Sequence, residues 1–240
     1  MATLVNSLQN LNRGLDMIDD FNGKFLTLSN IDGTVSGRMR PNMILYGDDL
    51  VDMGLPSGTL WAKKNLGATA ETGWGWYFSW GNIDPHQEGA GYDFSQAVYD
   101  ATPAASISTN LTAANDMATQ NLGTKWRLPT MADFVELCNS SYTEYVDASG
   151  NVISGTDKLT TVNSVKGLRI RSKKNGNILF FPCAGYYGGT SLYSRGSDGL
   201  YWSSSWISAT HARDLYFNSG GVNPQGNYGR RYGFSVRPVQ

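Results

Sequence analysis

Cysteine, histidine and net charge are all in short supply in this sequence, and each shortage removes a class of function. Two cysteines, Cys138 and Cys183, cannot make a disulfide scaffold. They read as buried free thiols, because an unpaired cysteine behaves as a small core hydrophobe. The two histidines, His86 and His211, stand far apart with no ligand spacing around them, so there is no zinc motif. Phosphate-loop and dinucleotide fingerprints are missing as well, since the pair Gly188-Gly189 is too little for either. With 19 Lys and Arg against 20 Asp and Glu, the net charge is −1. That balance excludes the basic stripe of a nucleic-acid-binding surface and electrostatic adsorption to an anionic membrane. No hydrophobic run reaches transmembrane length. The first residues have neither a basic region with an apolar signal core nor a lipoprotein cysteine, so the expectation is synthesis in a cytoplasm without a signal peptide. No cofactor, no metal, no nucleic acid and no membrane insertion are expected.

Glycine and aromatic residues are plentiful instead, at 28 Gly, 13 Tyr and 7 Trp. Such a mixture points to a loop-rich fold with large packing anchors. The length of 240 residues suits one sizeable domain with an appendage. Leu4, Leu8, Leu11, Leu15 and Ile18 follow a heptad spacing, which predicts an N-terminal helix over residues 1–20. It packs on its own domain or joins copies of the chain into a homo-oligomer, for which a trimer is the expected order. Residues 21–49 read as a small β connector, with strands at Lys24–Ser29 and Met43–Tyr46.

The main domain spans residues 50–240. Trp74, Trp76, Tyr77, Phe78 and Trp80 read as core and loop anchors rather than a carbohydrate platform. Residues 83–110 are a long polar insertion with His86, Tyr92 and Tyr99. Two helices are expected, at Leu111–Thr119 and at Met131–Cys138. Thr130 is the N-cap of the second, and Asp133 takes the place of the usual Glu or Gln of a capping box. Leu168–Ser172 and Ile178–Phe181 read as strands joined through Lys174-Asn-Gly176. Ala184–Tyr193 is a Gly/Tyr loop placed to line the same surface as the terminal segment.

In the last forty residues two sets interleave. Tyr201, Trp202, Leu215, Phe217, Val222, Phe234 and Val236 look fixed by packing. Leu215 and Phe217 alternate with Asp214, Tyr216 and Asn218, so period two puts the apolar pair on one strand face and the mixed set on the other. An outward face of Tyr, Asn, Gly and Arg suits a binding surface, because Tyr gives large contact area at low entropy cost. A solvated strand face would look much the same. The expected ligand face comprises Trp206, Thr210, His211, Arg213, Asp214, Tyr216, Asn218, Gly221, Asn223, Asn227, Tyr228, Arg231 and Tyr232.

Tyr201-Trp-Ser-Ser-Ser205, with Gly233-Phe-Ser-Val-Arg-Pro-Val239 at the end, resembles the variable region of a variable protein from a diversity-generating retroelement. Val51–Ala68 and Thr72–Asn82 resemble lectin-like domains of gut Bacteroidetes and their phages. Trp126-Arg-Leu-Pro-Thr130 before a helix is a second family signature, shared with the formylglycine-generating sulfatase-modifying family. The resemblance covers residues 50–240. It implies an α+β, C-type-lectin-like fold with two helices and short antiparallel strands, and a variable region at about 200–240. It also implies codon randomisation at adenines, which from Asn codons never yields Lys, Glu, Gln, Met or Trp. Every expected ligand residue except Trp206 passes that test, and Trp206 and Gln225 are then template-invariant or derived from another codon.

The function implied is recognition without chemistry: a phage tail or receptor-binding protein that takes a protein or glycan receptor on a target cell. Tyr216, Tyr228, Tyr232 and Arg231 are the expected energetic centres. Two alternatives stand beside it. One is a divergent sulfatase-modifying-type enzyme, although no cysteine follows Cys183. The other is a structural tail or adhesin module with a fixed surface. A Ser204, His211 and Asp214 triad lacks any nucleophile-elbow context.

Overall fold

The computed structural model describes residues 50–86 and 91–240 in full, and the backbone of residues 26–29 and 35–39. The heptad stripe of residues 4–18 and the strand expected at 43–46 lie outside the described residues. The chain divides into two compact units, Met1–Asp48 and Asp49–Gln240. In the first, β1 (Leu26–Ser29) pairs antiparallel with β2 (Val35–Met39), with a shift of register between Leu28 and Ser29.

The second unit is built mainly of strands. β3 (Leu50–Asp52) and β4 (Leu60–Ala62) form a two-stranded ladder. The last residues of the chain close onto it: Trp61 and Arg127 each bridge to Val239, and Leu60 and Gln240 exchange backbone hydrogen bonds of 3.2 and 2.9 Å. A second sheet centres on β8 (Val165–Ser172). β9 (Ile178–Pro182) pairs with it along one side, while β6 (Thr143–Tyr145) and β7 (Leu159–Val162) pair with its two ends along the other. The turn from β7 into β8 is Asn163-Ser164, both with positive φ (47° and 64°). That geometry matches the twist of a tight hairpin.

The largest sheet has five strands in the order β14-β13-β12-β15-β5. β12 (Gly199–Trp206), β13 (His211–Asn218) and β14 (Gly221–Gly229) run as an antiparallel meander. β15 (Phe234–Ser235) lies parallel to β12 and antiparallel to β5 (Tyr77–Phe78). Ahead of β12 in the chain, β10 (Tyr186–Gly188) and β11 (Ser191–Tyr193) turn the Gly/Tyr segment into a separate two-stranded hairpin.

Three short α-helices complete the described residues: α1 (Gln96–Asp100), α2 (Met117–Leu122) and α3 (Met131–Leu137). The first helix expected, at Leu111–Thr119, begins only at Met117. Asn115 Oδ1 draws the Thr112 amide into a turn at 2.7 Å, and Asp116 caps the helix by accepting from the Thr119 amide. Local side-chain acceptors outcompete helix in just this way. For α3 the expectation holds. Thr130 and Asp133 form a reciprocal capping box, and Asp133 also accepts from Arg127 at 2.7 Å and from Thr59 at 3.1 Å. Burial pushes the Asp133 pKa up, but the hydrogen bonds from Arg127 and Thr130 and the Arg127 charge outweigh it and hold the pKa low.

The α+β, C-type-lectin-like fold with two helices is therefore corrected. Strand accounts for 37% of the structure and helix for 12%, spread over α-helices of 5, 6 and 7 residues and a four-residue 3-10 helix at Pro103–Ser106. The physical reason is the density of turn residues and side-chain caps, which stops each helix within two turns.

The core lies between the five-stranded sheet, the β8–β9 sheet and α3. Phe134 and Leu137 from α3 meet Leu168, Ile170, Leu179 and Phe181 from one sheet and Tyr201, Leu215 and Phe217 from the other. Each such fully buried side chain contributes about 1.5–3 kcal/mol. Arg237, wholly buried, donates to the carbonyls of Ala62, Lys63 and Phe180 and to Asn65 Oδ1, and so ties the final segment to β4 and β9. The anchor role expected of the early aromatics holds for Tyr77, Phe78 and Trp80, none of which is exposed.

Candidate functional site

The register of the meander fixes which side chains share a face, because residues directly opposite in an antiparallel ladder point the same way. Leu215 lies opposite Tyr201, and Phe217 lies between Gly199 and Val222. This is the core face. The other face carries Ala212 opposite Tyr228, Asp214 between Trp202 and Gly226, and Tyr216 between Leu200 and Asn223. Asn218 and Gly221 end that row.

The expected ligand residues divide accordingly. Trp206, Asp214, Tyr216, Asn218, Gly221, Asn223 and Tyr228 belong to the second face. His211, Arg213 and Asn227 project from the core-facing side, at the end of the strands beyond Leu215. Thr210 sits in the β12–β13 turn, and Arg231 and Tyr232 follow β14. Thr210, His211, Asn223 and Asn227 are exposed. The others are half-buried, with one exception. Asp214 is only 1% exposed, so its expected outward placement is corrected. The alternation gives the face correctly, but that face is itself buried at its centre, between Trp202 and Gly226, which period-two counting cannot show.

Asp214 is an unusual group to bury. Beyond its own backbone amide, neither carboxylate oxygen has a hydrogen-bond partner among the described residues. Gly226 leaves the space it occupies, since a Cβ on Gly226 would collide with the carboxylate. Desolvation raises its pKa from 3.8 to about 7, and the Arg213 charge opposes that only in part. Tyr216 and Tyr228 both feel its charge. Burial first, then Asp198 beside Tyr216 and Tyr186 beside Tyr228, and least of all Asp214, push both phenols above their ordinary value.

Around this carboxyl the rings form a continuous group. Trp202 stacks on Phe234 at 4.1 Å, and Tyr228 lies 5.2 Å from Phe234 and 4.9 Å from Tyr232. Tyr186 of β10 stands 5.6 Å from Tyr228, 5.7 Å from Tyr232 and 5.4 Å from Tyr193. Tyr186 and Tyr193 were absent from the expected ligand set, and the Gly/Tyr density of their segment was the signal for them. At the far end Asn218 donates to the Tyr216 hydroxyl, which donates in turn to Asp198 at 3.4 Å. The guanidinium of Arg231 lies 4.3 Å from the Tyr232 ring.

The serines of Ser203–Ser205 serve the scaffold. Two extra residues bulge β12 between Trp202 and Trp206. Within the bulge, Ser203 Oγ donates to the Arg213 carbonyl at 2.8 Å, and Ser205 Oγ accepts from the first amide of α3, Met131, at 2.9 Å. His211 and Asp214 point from opposite faces of β13, so with Ser204 they cannot form a triad. The next residue after β14, Arg230, is buried and donates to the carbonyls of Ala104, Ile107, Ser208 and Ala209, with its guanidinium 4.6 Å from the Trp80 ring. It clamps the β12–β13 turn, leaving Arg231 to the surface.

Elsewhere, Cys138 and Cys183 are free, and burial pushes both thiols up to about 12. His86 pairs with Tyr77, stacks on Tyr92 and is driven down to about 4 by burial. Among the described residues no group of three or more His, Cys, Asp or Glu could hold a metal ion, and no helix is long and apolar enough to cross a membrane. A cleft lined by Lys63, Lys64, Glu71, Thr72, Val162 and Asn163 contains none of the expected ligand residues.

A family model described as a domain of unknown function (DUF8237) matches residues 170–239, from the end of β8 to the bridge at Val239. No curated protein and no solved structure matches the chain.

Proposed function

We propose that this chain is a non-catalytic ligand- or receptor-binding protein whose C-terminal surface is diversified by a retroelement, carried as a phage tail or receptor-binding protein. One observation carries this reading. On β13, Leu215 and Phe217 are locked into the core, while Tyr216 and Asn218 between and beyond them are half-buried and face away from it. Substitution at the second pair alters a surface; at the first it opens a cavity. Tyr216, Tyr228, Tyr232 and Arg231 supply the residue types that dominate binding energy at interfaces. The high thiol pKa values of both cysteines weigh against a sulfatase-modifying-type enzyme, since the thiolate is the reactive form. A homo-oligomer formed through the heptad stripe of residues 4–18 would raise avidity over a weak single site.

The test is deep sequencing of the 3′ end of the gene across many isolates. Changes concentrated at Thr210, His211, Asp214, Tyr216, Asn218, Asn227, Tyr228 and Tyr232, with Leu215, Phe217 and Phe234 constant, are the expected result. A uniform sequence, or changes scattered without regard to the two faces, would remove diversification and leave a fixed tail or adhesin module.

A further inference from the structure

Resting on the binding-face assignment above, we propose that the group this variant recognises is a cation, an ammonium or guanidinium on a protein receptor, seated on the face where Tyr228, with Tyr232 against it, and Tyr216 flank the buried Asp214 in strand register. The face has negative charge and ring surface, and its rim cation, Arg231, is tied to the Tyr232 hydroxyl at 2.6 Å and to Gln96 at 3.3 Å. Asp214 has no hydrogen-bond partner beyond its own amide among the described residues, and Asp198 stands behind the Tyr216 hydroxyl. Residues 199–240 contain no lysine. The cation that acts on Asp214, Arg213, stems from the opposite face, and its Nη1 is engaged by the Gln225 carbonyl at 3.1 Å. A cation over ring faces is attracted by their quadrupoles. The low dielectric beneath strengthens the pull of a carboxylate that it need not touch. The rim already holds one cation in this manner, Arg231 against Tyr232. A neutral polyol would gain nothing from a charge buried between the rings.

The experiment uses the full chain and tetramethylammonium chloride as probe, against sodium chloride at matched ionic strength, with tyrosine-ring NMR shifts as readout. Saturable shifts at Tyr216, Tyr228 and Tyr232 are expected at about pH 8. Affinity should be weaker by about tenfold at about pH 5.5, where Asp214 is protonated, and in Asp214→Asn at both pH values. The pH comparison on the unaltered protein keeps the test decisive if the variant folds poorly. No saturable shift, or equal affinity in the variant and at both pH values, overturns the proposal. So does saturation of the same tyrosines by methyl α-mannoside with no response to tetramethylammonium, which would make the face a glycan site. Sequencing across isolates tests the face itself, so a diversified face that ignores the cation sinks this inference alone.

Discussion

Removing the charge of Asp214 should stabilise the protein, and more so as pH rises. Burial lifts its pKa from 3.8 to about 7. Between those values the unfolded chain has released its proton and the folded chain keeps it. Stability therefore falls as pH climbs through this window and stops falling above about pH 7. A displacement of that size corresponds to about 4 kcal/mol, a ceiling because water reaching the ionised group relieves part of the penalty. Asp214→Asn keeps the shape and removes the titration. In urea unfolding, its advantage over the parent should grow by up to about 3 kcal/mol between about pH 5 and about pH 8. His86 titrates in an overlapping window with the opposite sign. Burial lowers its pKa from 6.5 to about 4, so its contribution is present above 6.5 and lost as pH falls. It is common to both proteins and cancels in the difference. An advantage that is the same at both pH values would refute the burial of an unpaired, titrating carboxyl at this position.

Three further outcomes are expected. Gly226→Ala should destabilise by about 1–3 kcal/mol, because the new methyl overpacks against Asp214. In an Asp214→Ala background thermal unfolding should show a smaller loss, and additivity would contradict the contact. Thr130→Ala should cost about 1–2 kcal/mol by opening the capping box of α3, read as a lower urea midpoint at unchanged slope. Cys138 and Cys183 should react with a thiol reagent at about pH 8 only on unfolding, since burial holds both near 12. Rapid labelling of either in the native protein would reopen the enzyme alternative.

Local chemistry made some of this architecture legible in advance. Thr130 and Asp133 announced the start of α3, because a capping box is a contact between residues three apart. Alternation at Leu168–Ser172 and the apolar run Ile178–Phe181 announced β8 and β9, which run to Val165–Ser172 and Ile178–Pro182. It failed at Leu111–Thr119, where a helical composition was interrupted by Asn115 and Asp116 capturing backbone amides. It also failed for the overall class. Helical composition at two places does not make a helix-rich fold: strands dominate around them, and local capture of backbone amides delays the helix expected at Leu111–Thr119 to Met117.

The sequence by itself determined the two faces of β13, because side-chain direction along a strand follows from covalent geometry and needs no partner. It also determined that Leu215 and Phe217 would be the inward pair. The Gly/Tyr density of Ala184–Tyr193 pointed that segment at the other face, and only the tertiary structure decided which residues meet there. Tyr186 and Tyr193 arrive there from a hairpin earlier in the chain, Gly226 leaves the space beside Asp214, and Arg230 rather than Arg231 is drawn inside. Those outcomes depend on which segments meet across the sheet. A carboxylate that looks like surface in the strand pattern becomes a buried charge between Trp202 and Gly226 once the sheet is assembled.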